Sequence, residues 1–417
     1  MPPNAQFGPK SWAERSDIPA AGPGADGRAG GRPGAALDKS DISAGTHAGD
    51  GVRRSGMEQF DGVRLARPVL EDFAAALLRG AGMSDDAAAA TSRAMTDASA
   101  RGVDTHGVRL VPFYLDQLQN GRVNPAPAVT ATRTAPSCVV VDADGGLGHL
   151  ASYRAIDEAA KLAEETGLAA AVVTRSSHHG ATGVYTLVAA QRGFIAFGCT
   201  HADALVVPHG GVKPFFGTNP ISFAAPARDE EPMLLDMATS AIPLNRVHLR
   251  RDTGTPLPPE VAVGDDGIAT TDPHVATGLI PVGGLGYGYK GAGLAMMVEI
   301  LCASLTGMPH GFRMTKFTGP GEPVHIGHFF LLLKPRAFAA GGYEDSLAAI
   351  LADLRSQPAQ PGQEVMAPGD PEKREAAERA ARGVPLDRRT WERLAAFAGT
   401  VGVTVPEASV DAGQADA

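Results

Sequence analysis

A chain of 417 residues with 44% hydrophobic residues carries enough apolar material for two or three cores. Its 37 basic and 46 acidic residues give a formal charge of −9, and no Lys/Arg run is long enough to follow a phosphate backbone, so nucleic acid is not an expected partner. Cys138, Cys199 and Cys302 lie far apart in apolar surroundings, which argues against a disulfide framework or a Cys-based zinc site and for a reducing cytoplasm.

Residues 1–57, including PAAGPGADGRAGGRPGAA, hold almost no large apolar side chains. Such a segment cannot offset its ordering entropy by burial, and a disordered extension is expected. It lacks the apolar core of a secretory signal and the Arg/Ser-rich amphipathic pattern of a transit peptide. Met57 stands where the composition turns ordinary, which leaves open a start of translation there.

Residues 58–135 read as an N-terminal helical region. RPVLEDFAAALLRGAGMSDDAAAATSRAMTDASARG gives two helices parted by a stop glycine and a Ser/Asp start signal, and VPFYLDQLQNG gives a third. Residues 136–310 form the central, sheet-containing region. SCVVVDAD, LAAAVVTRS, FIAFGCT, SFAAPA and MLLDMAT read as strands, with helices at SYRAIDEAAKLAEETG and GVYTLVAAQRG. The hairpin-like spacing of the later strands predicts an α/β (α+β) fold with a mixed, largely antiparallel sheet. A long helix resumes at Lys290. Its apolar stretch GLAMMVEILCASLTGM is broken by Glu299 and falls short of the roughly 18 to 20 residues of a bilayer span, so no membrane partner is expected. Residues 311–405 read as mainly helical with a strand at HFFLLLKP, and 406–417 as a loose tail.

GYGYKG, Gly286 to Gly291, has the G-x-G-x-x-G spacing of a dinucleotide loop. The strand that should precede it is broken by Pro281 and glycines, and no second strand with an acidic end follows, so a Rossmann domain is rejected. Two readings stay open: glycines with Lys290 at a helix N-terminus holding an anion, or a glycine loop packed under a helix.

RSSHHGATG places His178 and His179 at a strand-to-helix junction, where α/β proteins gather catalytic side chains. Adjacent residues point apart, so one catalytic histidine is the economical reading, against a structural, hydrogen-bonded histidine. ARGVDTHGVRL adds Thr105, His106 and Arg109 within one turn, a hydroxyl, an imidazole and a guanidinium suited to a carboxylate. The same stretch also reads as a helix start capped by Asp104 or Thr105.

Taken in order, ARGVDTHGV, RSSHHGATG, VVPHGG, GTNPISFAAP, LLDMATS and YKGAGLAMMVEIL resemble the malate/L-lactate dehydrogenase family of non-Rossmann NAD(P)-dependent oxidoreductases, from about residue 60 to about 400. The resemblance implies hydride transfer between NAD or NADP and a small 2-hydroxy acid, malate- or lactate-like, with reduction of a cyclic imine carboxylate as the alternative. It assigns proton transfer to His178, with Asp203 as a catalytic partner orienting His178 or the nicotinamide ribose. It assigns the substrate carboxylate to Thr105, His106 and Arg109, and the floor of the site to Thr218, Asn219 and Pro220. Cofactor contacts fall on Ala202, Asp236, Met237, Ala238, Lys290, Gly291, Pro368, Gly369 and Asp370, with no metal. A cytoplasmic homodimer follows, since in this family the N-terminal helical region reaches a neighbour's pocket. The chain departs from the family at Thr105 and Ala202, where serine is common, at Arg109, one residue earlier than usual, and at Arg246, which replaces a frequent lysine. A rival reading takes His178, His201 and His209 as ligands of a metal-dependent hydrolase or lyase, against which stands the lack of carboxylates at fixed offsets.

Overall fold

The structure is a computed structural model that describes residues 61–317, 322–338 and 341–410. The extension expected at 1–57 lies outside the described residues, as does 411–417 of the expected tail. β1 (Gly62–Leu65) leads into α1 (Arg67–Gly80), whose Pro68 sits at the helix start where its missing N–H costs nothing. α2 (Asp85–Ala100) begins with two aspartates against the positive end of the helix dipole. After α3 (Val111–Gln119) the chain forms the hairpin β2 (Thr130–Ala135) and β3 (Cys138–Asp142), then crosses through α4 (Gly148–Thr166) to β4 (Leu168–Ser176). α5 (Gly183–Gln191), β5 (Ile195–Thr200), β6 (Ile221–Ala225) and β7 (Met233–Met237) follow. α6 (Leu244–Asp252) precedes the small pair β8 (Ala262–Val263) and β9 (Gly278–Leu279), and α7 (Gly284–Glu299) runs into a π-helical turn at Ile300–Ser304. The last elements are β10 (Ile326–Leu333), α8 (Pro335–Phe338), α9 (Tyr343–Arg355), α10 (Asp370–Arg382), β11 (Val384–Asp387), α11 (Arg388–Val401) and β12 (Ser409–Val410).

Seven strands make one sheet in the order β2-β3-β4-β10-β5-β6-β7. β3 and β4 are parallel; every other pair in it is antiparallel. The fold is thus the mixed, largely antiparallel, non-Rossmann α/β arrangement expected from strand spacing. β10, from the segment read as mainly helical, occupies the sheet's centre because Phe330 and Leu332 bury into the same core as Val139, Val141, Ala171 and Val173. Ala151, Ala155, Ala159 and Ala163 line the α4 face on that core, and such small side chains let the helix lie close to the strands. A second core joins α1, α2 and α3 to β11 and α11, through Leu70, Leu77, Leu78, Met95, Tyr114, Leu386 and Leu394. The C-terminal segment is therefore shared between two cores, β10 in one and β11–α11 in the other.

The glycine run takes neither form expected for a loop. α7 begins at Gly284, so Gly286 to Gly291 lie within the helix. Lys290 sits nearly two turns inside, exposed, with its ammonium 5.2 Å from the Tyr287 ring. Gly291 is needed for close approach: a Cβ there would stand 2.5 Å from the Val282 carbonyl oxygen.

Candidate active site

β4 ends at Ser176 and α5 starts at Gly183, and the turn between them carries both histidines. Their side chains part. His179 is buried, with Nδ1 3.0 Å from the Ser152 hydroxyl, Nε2 3.1 Å from that of Thr182, and its ring stacked on His328 at 4.1 Å. It is a core residue. His178 is half-buried; its Nδ1 accepts from the Gly180 amide at 3.3 Å and lies 2.7 Å from the Tyr114 hydroxyl. An Nδ1 that accepts from a main-chain N–H is unprotonated in the neutral ring, so the phenol donates to it and the ring proton sits on Nε2. Among the described residues Nε2 has no hydrogen-bond partner.

Burial, reinforced by the imidazoles of His106, His149 and His328, holds the His178 pKa well below the ordinary histidine value. Tyr114 is fully buried, and burial pushes its phenol far above the usual range, so it remains a donor. Behind it His149 lies with Nε2 3.4 Å from the Tyr114 oxygen and Nδ1 3.3 Å from the Thr91 hydroxyl; burial pushes its pKa down to about 3 and keeps it neutral. In front, the His106 ring stacks on His178 at 5.8 Å, while Phe113 and Phe317 meet it edge-on at 6.3 and 5.5 Å. The Thr105 hydroxyl is 3.0 Å from His106 Nδ1.

On the other side of the histidine turn, main-chain contacts tie distant segments into one arc. The Gly183 amide donates to Asp236 Oδ2 at 2.8 Å, and a Cβ at Gly183 would collide with that carboxylate at the same distance. Thr239 donates to the Thr218 carbonyl, Val282 to the Thr239 carbonyl, and Gly291 to the Val282 carbonyl. The Leu234 amide donates to the Pro368 carbonyl at 3.3 Å, which sets Gly369 and its left-handed φ of 94° beside β7. Thr218, Asp236, Met237, Ala238, Gly291, Pro368 and Gly369 thus belong to one connected surface. Beside Asp236 opens a cavity of about 210 Å³ lined both by apolar side chains such as Val103, Val184 and Leu187 and by the charged groups of Arg67, Arg93, Asp97, Arg101 and Glu372.

Over residues 65–395 the sequence matches the family described as malate/L-lactate dehydrogenase. The chain belongs to that family. It is an oxidoreductase of this class. It is 36% identical to a (2R)-3-sulfolactate dehydrogenase (NADP(+)) of Chromohalobacter salexigens, over 69% of this chain and 85% of the relative. A ureidoglycolate dehydrogenase (NAD(+)) of Escherichia coli is 28% identical over 78% of this chain and 93% of its own. The solved structure of a malate dehydrogenase from Pyrococcus horikoshii superimposes with a TM-score of 0.75 at 29% identity, covering 83% of this chain and 99% of that one.

Within this dehydrogenase several residues sit differently from the sequence reading. Arg109 Nε is 3.2 Å from Asp387 and more than half of its side chain is exposed. Asp104 caps no helix: Arg379 grips its carboxylate at 2.6 and 2.9 Å, and residues 104–106 form a short 3-10 turn without a side-chain cap. Asn219 is completely buried, taking the Ala202 amide on Oδ1 and donating to the Ala295 carbonyl and Glu299, which leaves it no atom for a substrate. The Asp370 carboxylate is held by Arg355 at 2.7 and 2.9 Å and by the Ala367 amide. Asp203 makes no hydrogen bond to His178, where Tyr114 bonds instead, and Asp203 itself is buried. Of the three histidines offered as metal ligands, His201 is buried with its ring nitrogens against the Pro309 and Gly327 carbonyls, and His209 is exposed beside Tyr289. Among the described residues no group of three His, Cys, Asp or Glu could hold a metal.

Four residues escaped the sequence reading: Tyr114, Phe113, Phe317 and Arg122. Arg122, 1% exposed, donates to the carbonyls of Lys316, Phe317 and Glu322 and so fixes the main chain at Phe317, whose ring meets His178. The adjacent aromatic pair Phe113–Tyr114 on a short helix was the available signal.

Asp236 gives a pH prediction. It lines the cavity with an exposed side chain, and desolvation by the protein around the cavity pushes its pKa up from 3.8 to about 7 despite the Gly183 amide. The folded state then binds the proton more tightly than the unfolded one, so stability present at acid pH is lost as pH rises through about 7. Solvent in the cavity screens the effect. Asp236→Asn is expected to flatten the fall of Tm between pH 5 and pH 8; an unchanged slope in thermal melts would count against it.

Proposed function

We propose that this protein is an NAD(P)-dependent dehydrogenase that interconverts a small 2-hydroxy acid, malate- or lactate-like, and its 2-oxo acid, with His178 passing the proton. The observation that carries this is the state of His178: alone of the paired histidines it opens to solvent, with Nδ1 engaged and Nε2 without a partner. Bound NAD or NADP gives or takes the hydride. The residues fit part of such a group, since the cavity beside Asp236 combines apolar side chains with arginines for an anionic group and carboxylates for ribose hydroxyls. Asp236, Met237, Ala238, Lys290, Gly291, Pro368 and Gly369 would hold it, with Ala202 and Thr218 near its reactive end.

Thr105 and His106 orient the substrate carboxylate, and the substrate's hydroxyl or carbonyl oxygen meets Nε2. For oxidation the ring proton shifts to Nδ1, donated to the Tyr114 oxygen, so that the freed Nε2 lone pair takes the hydroxyl proton; in reduction the imidazolium returns it from Nε2. The Phe113 and Phe317 edges exclude water from that side. Leu285, Tyr287, Tyr289, Met296 and Ile300 leave an exposed apolar face on and just beyond α7, which supports a homodimer; a monomer in sedimentation equilibrium would remove this part of the reading. Absorbance of NADH and of NADPH followed against a panel of 2-oxo acids, with a cyclic imine carboxylate alongside, tests the whole. Oxidation of the cofactor by 2-oxo acids is expected, and consumption by the imine alone would refute it.

A further inference from the structure

We infer that the side-chain pocket beside His178 is built for an apolar substituent, and that Phe317, with Phe113, selects 2-oxo acids bearing alkyl or aromatic side chains over dicarboxylates. This rests on the reading of His178 as the proton-transfer group and narrows the substrate class within it.

The two phenyl rings stand 6.4 Å apart, and both turn an edge to the His178 ring, at interplanar angles of 87° and 85°. Together with the stacked His106 they make an aromatic wall against which an alkyl chain or a ring packs favourably. A second carboxylate there would lose its hydration and needs a cation in exchange. The two arginines of these segments are committed elsewhere. Arg122 is buried on three carbonyls and Arg109 is paired with Asp387. The charge of Lys316, an exposed side chain, acts on Asp203, and the groups that act electrostatically on His178 are histidines.

The wall is also held in a way that makes its ring replaceable. The Phe317 carbonyl accepts from Arg122 Nη1 at 2.8 Å and from Gln117 Nε2 at 3.2 Å. A cation and an amide on the C=O hold the main chain in place. Neither bond uses the phenyl group, so a changed side chain leaves this hold intact.

The test compares kcat/KM for pyruvate, 4-methyl-2-oxopentanoate, phenylpyruvate and oxaloacetate in the full chain, in Phe317→Arg, Phe317→Leu and Lys316→Ala. Wild type is expected to favour the apolar acids over oxaloacetate by at least about tenfold. Phe317→Arg is expected to shift that ratio toward oxaloacetate by a further tenfold or more, whereas Phe317→Leu and Lys316→Ala keep the wild-type preference. A wild type that prefers oxaloacetate, a Phe317→Arg that leaves the ratio unchanged, or a Lys316→Ala that removes oxaloacetate turnover would each overturn the inference while leaving the dehydrogenase reading standing. Turnover of none of the four acids, with the imine carboxylate reduced, overturns the parent reading and this inference with it.

Discussion

Replacing His178 by Ala is expected to lower kcat for 2-oxo acid reduction by about 10²- to 10⁴-fold, the range over which a positioned acid or base acts. The side chain makes few contacts that the fold depends on: its ring nitrogen meets a hydroxyl and an amide, and it is half-buried, unlike His179. Tm and NADH binding, read by fluorescence, should therefore stay near wild type. His179→Ala should do the reverse, because it opens a hole between His328, Ser152 and Thr182 and so lowers Tm. The pH profile adds a signed expectation. With the pKa of His178 held below its ordinary value by burial and neighbouring imidazoles, the neutral base survives as pH falls through 6.5. Oxidation of the 2-hydroxy acid should thus stay flat across pH 6 to 8, and reduction, which starts from the imidazolium, should rise toward acid. Full activity in His178→Ala would remove the assignment outright.

Tyr114→Phe carries the second largest effect. A hydrogen bond to a group that becomes charged is worth about 1.5 to 3 kcal/mol, which corresponds to about 10- to 150-fold in rate. Loss of the phenol leaves Nδ1 with only the longer Gly180 contact, so an Nδ1–H, and with it the imidazolium, has no acceptor and is disfavoured. The expected signature is a fall in kcat with KM nearly unchanged, together with a displaced pH profile. Both distinguish positioning from simple loss of packing, which the isosteric ring preserves. A kcat within twofold of wild type would show that the 2.7 Å contact is incidental to the chemistry.

The reading of the chain from its residues went furthest where local rules govern. Strand spacing gave the mixed, largely antiparallel sheet, because hairpin connections are too short to cross over between parallel strands. The broken strand before Gly286 excluded a Rossmann site, and the ordered motifs gave the family. Local rules also over-reached. G-x-G-x-x-G looked like a loop, yet α7 starts two residues before it, since Gly283 in a left-handed conformation already opens the helix. Asp104 looked like a cap until Arg379, 275 residues away, took its carboxylate.

What the sequence by itself determined is the class of residues able to do this chemistry: an imidazole at a strand end, a carboxylate-binding turn and glycines where main chains approach. The residues alone left the two adjacent histidines equivalent and only the family resemblance chose between them; tertiary structure supplied the physical difference, since His178 is open to solvent and His179 buried, and burial depends on α3, β10 and α4 arriving from distant segments. It alone set Tyr114 behind His178 and clamped Phe317 in front, since those contacts join residues 64 and more positions apart. A proton-transfer site is defined by which nitrogen faces a cavity, and that is a property of packing in three dimensions.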